Sequence, residues 1–205
     1  MFDEAEVEYA TLLERDPQNL RGLIGAGRVA LLKGDVQAAI RHDEAALAIN
    51  PKEKTALREL GLIDLNSGRI GEAYDRLKVA VEVDPFVPEV HYSYSRALKA
   101  AGNMTRAAEE AAITERLKKE QQRIIDLRQN LVQRPEDTKL RCEAAKWLIE
   151  HGHDQEGLEW TAMILKQKPG DPTTSRLLAD YYTRQGNVGL ANYYRLDASR
   201  PNSDQ

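Results

Sequence analysis

The stretch GDVQAAIRHDEAALAINP at residues 34–51 returns 34 residues later as GRIGEAYDRLKVAVEVDP at 68–85. A fixed period of that size constrains the fold more than any single residue. A unit so short cannot enclose a core by itself and must share one with its neighbours. Counted in steps of 34, units run over 20–53, 54–87 and from 88 onward, and the pattern resumes at 138–171 and 172–205. The eighth position of each unit is small: Gly27, Gly61, Ser95, Ala145 and Ala179. The twentieth is small as well: Ala39, Ala73, Ala107, Gly157 and Ala191. The fifteenth is always glycine, at Gly34, Gly68, Gly102, Gly152 and Gly186, and Pro51, Pro85 and Pro169 close three units.

Each recurrence has a physical reading, and together they predict two antiparallel helices per unit. Small side chains at positions eight and twenty let two helix backbones approach closely. Glycine at fifteen takes the left-handed conformation that ends the first helix. Asp35, Asn103 and Asn187 follow it as N-caps of the second, which the closing proline stops. Leu23, Leu57, Leu60, Leu77, Leu98, Leu148 and Leu178 fill the inner face. No segment alternates with the period of a strand.

Composition removes several function classes. A net charge of -4 and a pI near 5.7 lack the basic excess of a nucleic-acid binder. No apolar run approaches the ~20 residues that span a bilayer, so membrane insertion is not expected. The start MFDEAEVEYA is acidic where a signal peptide is basic and then apolar. Cys142 is the only cysteine, so no intrachain disulfide forms and the redox compartment stays open. The expectation is a soluble chain of undetermined compartment, the cytoplasm being slightly favoured.

The 34-residue period, with its small eighth and twentieth positions and its proline at the thirty-second, resembles the tetratricopeptide repeat over nearly the whole chain. The resemblance implies an all-α fold, a right-handed superhelical solenoid of antiparallel helix pairs, here about eleven helices interrupted by one long one. There are departures. The fourth-position Trp of the family is replaced by Leu23, Leu57, His91, Arg141 and Ser175, and Asp43 and Asp64 stand where the family carries a large aromatic.

Two irregularities set the organisation. Residues 2–17 match only the second helix of a unit, with Ala5 as its twentieth position and Pro17 as its thirty-second. The chain therefore starts in mid-repeat, as a piece of a longer protein would; a natural N-terminal capping helix is the alternative. The step from 88 to 138 exceeds the period, and 104–134 contains no Pro or Gly. That predicts one continuous helix about 45 Å long at 1.5 Å per residue, with a break near residue 120 as the alternative. Ala107, Ala111 and Leu117 are expected to pack upstream, 118–123 to be solvated, and Ile124, Leu127 and Leu131 to renew an apolar stripe. The expected domains are an N-terminal array over 1–118 that begins with a half repeat, the connecting helix 104–134, and a C-terminal repeat pair over 135–205.

Signals for catalysis are weak. His151 and His153 in HGHD fall on an expected turn without further ligands at metal-site spacing, so solvated turn histidines are expected. Cys142 has no activating partner nearby in sequence and reads as a small helix residue. No phosphate-cradling loop, nucleophile elbow or paired-carboxylate motif is present. No catalytic residue, cofactor or metal site is expected. Asp43 and Asp64 are expected to reach solvent or to pair with Arg28 or Arg58, because a buried unpaired carboxylate is costly; a buried acid pair is the alternative.

Binding is where the residues say more. The resemblance implies that the first helix of each unit lines a concave groove through positions two, five, nine, twelve and thirteen. Those positions hold Arg21, Ile24, Arg28 and Leu31, then Thr55, Arg58, Leu62, Leu65 and Asn66, then Glu89, Tyr92, Arg96 and Lys99. The candidate peptide-binding set is Arg21, Arg28, Arg58, Leu62, Asn66, Tyr92, Arg96 and Lys99. An acidic chain thus gathers five cations on one expected face. Arginine forks suit carboxylates, and Tyr92 adds an apolar body with a polar tip. The plain alternative is that these arginines are ordinary residues of wet helix surfaces. The Lys/Asn set of the family's carboxylate-clamp co-chaperones is not matched, since Ile24, Arg28 and Arg58 stand in its place.

A downstream groove would present Lys139, Cys142, Lys146, Ile149, Arg176, Asp180 and Arg184. Trp147, Trp160, Tyr181, Tyr182, Tyr193 and Tyr194 gather there, mostly as interior or capping residues, with any exposed subset forming a partner patch. The functional expectation is a non-catalytic protein–protein interaction scaffold that binds a protein or an acidic or C-terminal peptide segment in its groove. An accessory docking region of a larger enzyme or assembly, and self-association through the long helix, are the alternatives.

Overall fold

A computed structural model describes residues 2–199 of the chain, which form eleven helices and no strand among them. They are α1 (Phe2–Arg15), α2 (Leu20–Lys33), α3 (Val36–Ile49), α4 (Lys54–Asn66), α5 (Ile70–Val83), α6 (Pro88–Ala100), α7 (Met104–Gln133), α8 (Thr138–Glu150), α9 (Asp154–Gln167), α10 (Pro172–Arg184) and α11 (Val188–Ser199). The chain divides into two compact units, Met1–Lys118 and Lys119–Gln205, and α7 runs through the boundary as one helix of 30 residues.

The turn inside each pair follows from one glycine and the residue after it. Gly34 has φ 81°, and its N–H donates to Leu31 O at 3.0 Å. The next N–H, of Asp35, reaches back to Ala30 O at 2.9 Å. This pair of bonds satisfies carbonyls that the helix end would otherwise leave open. Asp35 then opens α3, its Oδ1 accepting from Ala38 N–H at 2.9 Å. Asn103 and Asn187 repeat both roles, donating backward to Leu98 O and Tyr182 O and capping through Arg106 N–H and Leu190 N–H. One position thus closes a helix with its backbone and starts the next with its side chain.

In the first unit, consecutive helices pack from α1 to α6, and α4 also touches α6. The approach is closest at the small positions. A Cβ on Gly61 would stand 2.7 Å from Leu77 Cγ, and Ala39, Ala73 and Leu77 are fully enclosed. Leu65, Ala73, Leu77, Tyr94, Ala97, Leu98 and Ala107 form a continuous core through α4, α5, α6 and the start of α7. In the second unit α8 packs on α9 and α10, and α10 on α11. Here a Cβ on Gly157 would meet Ile149 Cγ1 at 2.6 Å, beside the core residues Cys142, Ala145, Ile164 and Leu177.

The long helix differs from its expected pattern in two respects. Ala111 is exposed; Glu110 and Thr114 take the buried positions beside Ala107 and Leu117. The reason lies on α6, where His91 occupies the position that the family gives to Trp. His91 is buried, with Nδ1 2.6 Å from Glu110 Oε2 and Nε2 3.0 Å from the Pro85 carbonyl. A polar ring calls for a polar partner, and Glu110, also bridged by Arg106 Nη2 at 3.1 Å, supplies it. In the second unit Ile124 and Leu127 are buried against Ala144 and Leu148, and Leu131 packs beside them. Within 118–123, Glu120 is not fully solvated, because His151 Nε2 lies 2.9 Å from its carboxylate.

The close approach at positions eight and twenty yields a stability prediction. Gly61→Leu and Ala73→Leu each drive a side chain into enclosed space and should cost ~1–3 kcal/mol in urea unfolding. Gly71→Ala, at a position where an added Cβ meets no described atom within 4 Å, should stay within about 0.5 kcal/mol of wild type. Equal stability of all three variants would contradict this packing.

Candidate functional site

The first unit carries an open groove of about 710 Å³ where α1 crosses α2. Glycines inside α2 make it possible. A Cβ on Gly25 would fall 2.2 Å from the Tyr9 ring, and one on Gly22 would fall 3.0 Å from Leu13. Glycine in a helix costs roughly 0.5–1 kcal/mol relative to alanine, and here it admits the ring of Tyr9 against the backbone. Tyr9, Ile24 and Leu32 give the groove an apolar lining, and Arg21, Arg28 and Glu53 give it charge. Glu53 is also the N-cap of α4, accepting from Ala56 N–H at 2.7 Å.

The expected peptide-binding residues lie on α2, α4 and α6, and the groove gathers only part of them. Arg21 and Arg28 are exposed along it. Arg58 and Leu62 are half-buried on α4, and Asn66, Tyr92, Arg96 and Lys99 are exposed; among the described lining residues of the groove none of these six occurs. Arg28 and Arg58 nevertheless converge. Arg28 Nε and Arg58 Nη2 each lie 3.8 Å from Glu59 Oε1. Leu65, expected on the groove, is instead buried in the core, because α4 packs against α5 and α6 as well as α3.

Beneath these arginines lies an acidic cluster that departs from the sequence expectation. Asp43 does not reach solvent or pair with Arg28 or Arg58. It is fully buried against Gly27, and neither carboxyl oxygen has a hydrogen-bond partner among the described residues. Burial, then the charges of Glu59 and Glu53, push its carboxyl up to about 7. Glu59 is 7% exposed and its Oε2 likewise lacks a described partner. Burial raises the Glu59 carboxyl too, against the opposing pull of Arg58 and Arg28. Asp64 is also buried but is satisfied by Arg69, with Nε 2.8 Å from Oδ1, and by Arg76 on Oδ2. The buried acid neighbour of Asp43 is therefore Glu59, and not Asp64.

The second unit also corrects the expected groove. Cys142 and Ile149 are core residues, and burial pushes the Cys142 thiol up, away from the reactive thiolate. His151 is not a solvated turn residue. It stacks on Trp147 at 4.0 Å between ring centroids, its Nδ1 2.7 Å from Trp147 O and its Nε2 near Glu120; His153 is exposed. Of the expected aromatics, Trp147, Trp160 and Tyr181 pack against the core clusters of this unit. Tyr181, Tyr182 and Tyr194 are half-buried and Tyr193 is 55% exposed, joined by ring contacts at 5.0–5.7 Å. Among the described residues no group of three or more His, Cys, Asp or Glu could hold a metal ion, and no helix is long and apolar enough to cross a membrane.

Sequence reasoning missed Tyr9, Glu53 and Glu59. The off-period glycines Gly22 and Gly25 were the available signal for a ring packed on α2; nothing local marks Glu59.

Comparison with known proteins places this geometry in a family. The tetratricopeptide repeat profile matches residues 2–54 and 58–117. The chain belongs to the tetratricopeptide repeat family. Tetratricopeptide repeat protein 7B of Homo sapiens is 34% identical over 93 residues, covering 45% of this chain and 11% of that protein. A protein of Solanum lycopersicum, described as the probable UDP-N-acetylglucosamine–peptide N-acetylglucosaminyltransferase SPINDLY, is 28% identical over 84 residues, 41% of this chain and 9% of its own. The chain spans about a tenth of the length of these curated relatives. Among solved structures YrrB, described as a TPR protein with an unusual peptide-binding site, aligns with a TM-score of 0.51 at 16% identity, over 93% of this chain and 90% of that one. The APC/C hetero-tetramer Cut9–Hcn1 aligns with a TM-score of 0.51 at 14% identity, over 97% of this chain and 36% of that one. These structural likenesses are likenesses of fold, and the fold supports a protein–protein interaction scaffold.

Asp43 makes stability depend on pH with a definite sign. Unfolded, the carboxyl releases its proton near 3.8, and folded it holds it up to about 7. Between those values the folded chain binds more protons, so stability falls as pH rises and levels off above the folded value. Each pH unit that separates the two values corresponds to about 1.36 kcal/mol. Asp43→Asn should therefore stabilise the chain by ~1–4 kcal/mol at pH 8 and change little at pH 4. Chemical denaturation at both pH values checks this; an equal effect at each would contradict the burial of an ionising group.

Proposed function

We propose that the chain is a non-catalytic scaffold that receives an acidic peptide segment along α2, α4 and α6. The observation that carries this reading is the position of Arg28. Its side chain is 63% exposed at an open, partly apolar groove, with Arg21 beside it and Arg58 meeting it at Glu59. Exposed ion pairs contribute only ~0–1 kcal/mol each, so a useful affinity needs several arginine forks and an apolar contact together. Tyr9 and Ile24 provide that contact in the groove, and Tyr92 offers another on α6. The preferred segment then carries several carboxylates and at least one apolar side chain. Arg96 and Lys99 extend the cationic face along the third unit.

The test is a titration with a glutamate-rich peptide containing one leucine, and with its lysine-rich counterpart. The acidic peptide should bind, and more weakly as salt rises, since exposed charges are screened over ~8–10 Å at physiological ionic strength. Arg21→Glu with Arg96→Glu should lower its affinity at least about tenfold, a loss of ~1.4 kcal/mol, with helicity unchanged because both side chains are exposed. Equal affinity for the acidic and basic peptides, or no effect of the double variant, would remove this face from consideration.

A further inference from the structure

Arg28 faces two ways. Its stem lies along the groove, while its Nε lies 3.8 Å from Glu59 Oε1, where Arg58 Nη2 arrives at the same distance. Behind that oxygen the polar accounting is incomplete. Glu59 Oε2 and both oxygens of the fully buried Asp43 lack a donor among the described residues. Three buried acceptors without donors make an arrangement that is costly when ionised and acceptable when a proton is present.

The charged groups around the pair come from every element packed on it. α2 contributes Arg28, α4 contributes Arg58, and the turn before α4 contributes the negative charge of Glu53. On α3 itself, His42 is pushed toward its neutral form by burial and then by Arg41. Arg76 of α5 is held by Asp64 and lies 3.8 Å from Glu44. Arg58 and Arg28 are therefore the cations that oppose the upward push of burial on the Glu59 carboxyl.

A carboxylate ligand acts on this balance twice. It draws the two guanidinium groups outward and adds negative charge on the same side. Both changes favour the protonated form of the acids behind them. We propose that binding of an acidic peptide to this face is coupled to uptake of a proton by the Asp43–Glu59 pair, which makes the surface a pH-gated acceptor. The coupling rests on the reading that this face takes acidic peptides. Because the complex holds more protons than the free chain, affinity rises as pH falls. The window opens at about 7, where Asp43 of the free chain titrates, and extends above it. The charge of Glu59 raises the Asp43 carboxyl, so the titration of each acid responds to the state of the other.

The experiment is isothermal calorimetry of the full chain with the glutamate-rich peptide containing one leucine at pH 6 and pH 8, and at pH 7 in two buffers of different ionisation enthalpy. The expected result is uptake of a substantial fraction of one proton per peptide, and a Kd about threefold to tenfold tighter at pH 6 than at pH 8, within the one-proton limit of about tenfold per pH unit. Asp43→Asn, which has no acid to titrate there and touches no ligand, should abolish most of both effects. Binding with no proton uptake and no pH dependence overturns the coupling and leaves the groove intact. No binding at either pH removes the groove reading and the coupling with it. A second measurement uses no ligand: in Arg28→Gln/Arg58→Gln, the Asp43 and Glu59 carboxyl resonances should titrate at higher pH than in wild type. Unmoved titrations overturn the coupling whatever the peptide does.

Discussion

Close approach of two helix backbones is the interaction on which the rest of the molecule depends. Leu77 can lie against Gly61 only because no side chain separates them, and Ile149 uses Gly157 in the same way. Dispersion contacts are individually ~0.1–0.2 kcal/mol, so their sum depends on leaving no gap. Once the pair is this tight, its turn has few solutions, and a left-handed glycine followed by a capping residue is the one repeated here. The next helix then has a defined face to cover. Ala73 and Leu77 of α5 meet Tyr94, Ala97 and Leu98 of α6 in one core, which is how each unit completes its neighbour.

Within that frame the interior is unusually polar at places where the family carries aromatics. Each substitution is resolved differently. His91 finds Glu110 and a backbone carbonyl. Asp64 finds Arg69 and Arg76. Asp43 finds no donor among the described residues and sits against Gly27 and near Glu59, where Arg28 of the groove and Arg58 of α4 offset the charge. The first two are satisfied networks that hold α6 to α7 and α4 to α5. The third is a cost kept inside the fold, placed one side chain away from the surface proposed to face a partner. Structure and proposed function meet at Arg28, which serves both.

Local and periodic features were legible in the sequence. The glycine turns, the caps at Asp35, Asn103 and Asn187, and the enclosed alanines at position twenty all follow from residue type at a fixed spacing. What could not be read were consequences of a third helix. Leu65, Cys142 and Ile149 fall on positions that the repeat assigns to a groove, yet α4 and α8 each pack against two later helices that widen the buried stripe. Ala111 yields to Glu110 because of His91, nineteen residues earlier. His151 is drawn from solvent by Glu120, thirty-one residues before it. The candidate cations were readable as a set, but the meeting of two of them, Arg28 and Arg58, at Glu59 was not, since that residue looks like any helical glutamate.

The central functional claim is spatial, that acidic segments settle on the first helices of the N-terminal units. Amide resonances followed during titration with a glutamate-rich peptide address it directly. The account predicts shifts concentrated at Arg21, Arg28, Arg58, Tyr92 and Arg96 on α2, α4 and α6, with α8 to α11 quiet. Shifts confined to the tyrosines of α10 and α11, with the N-terminal arginines unmoved, would contradict it.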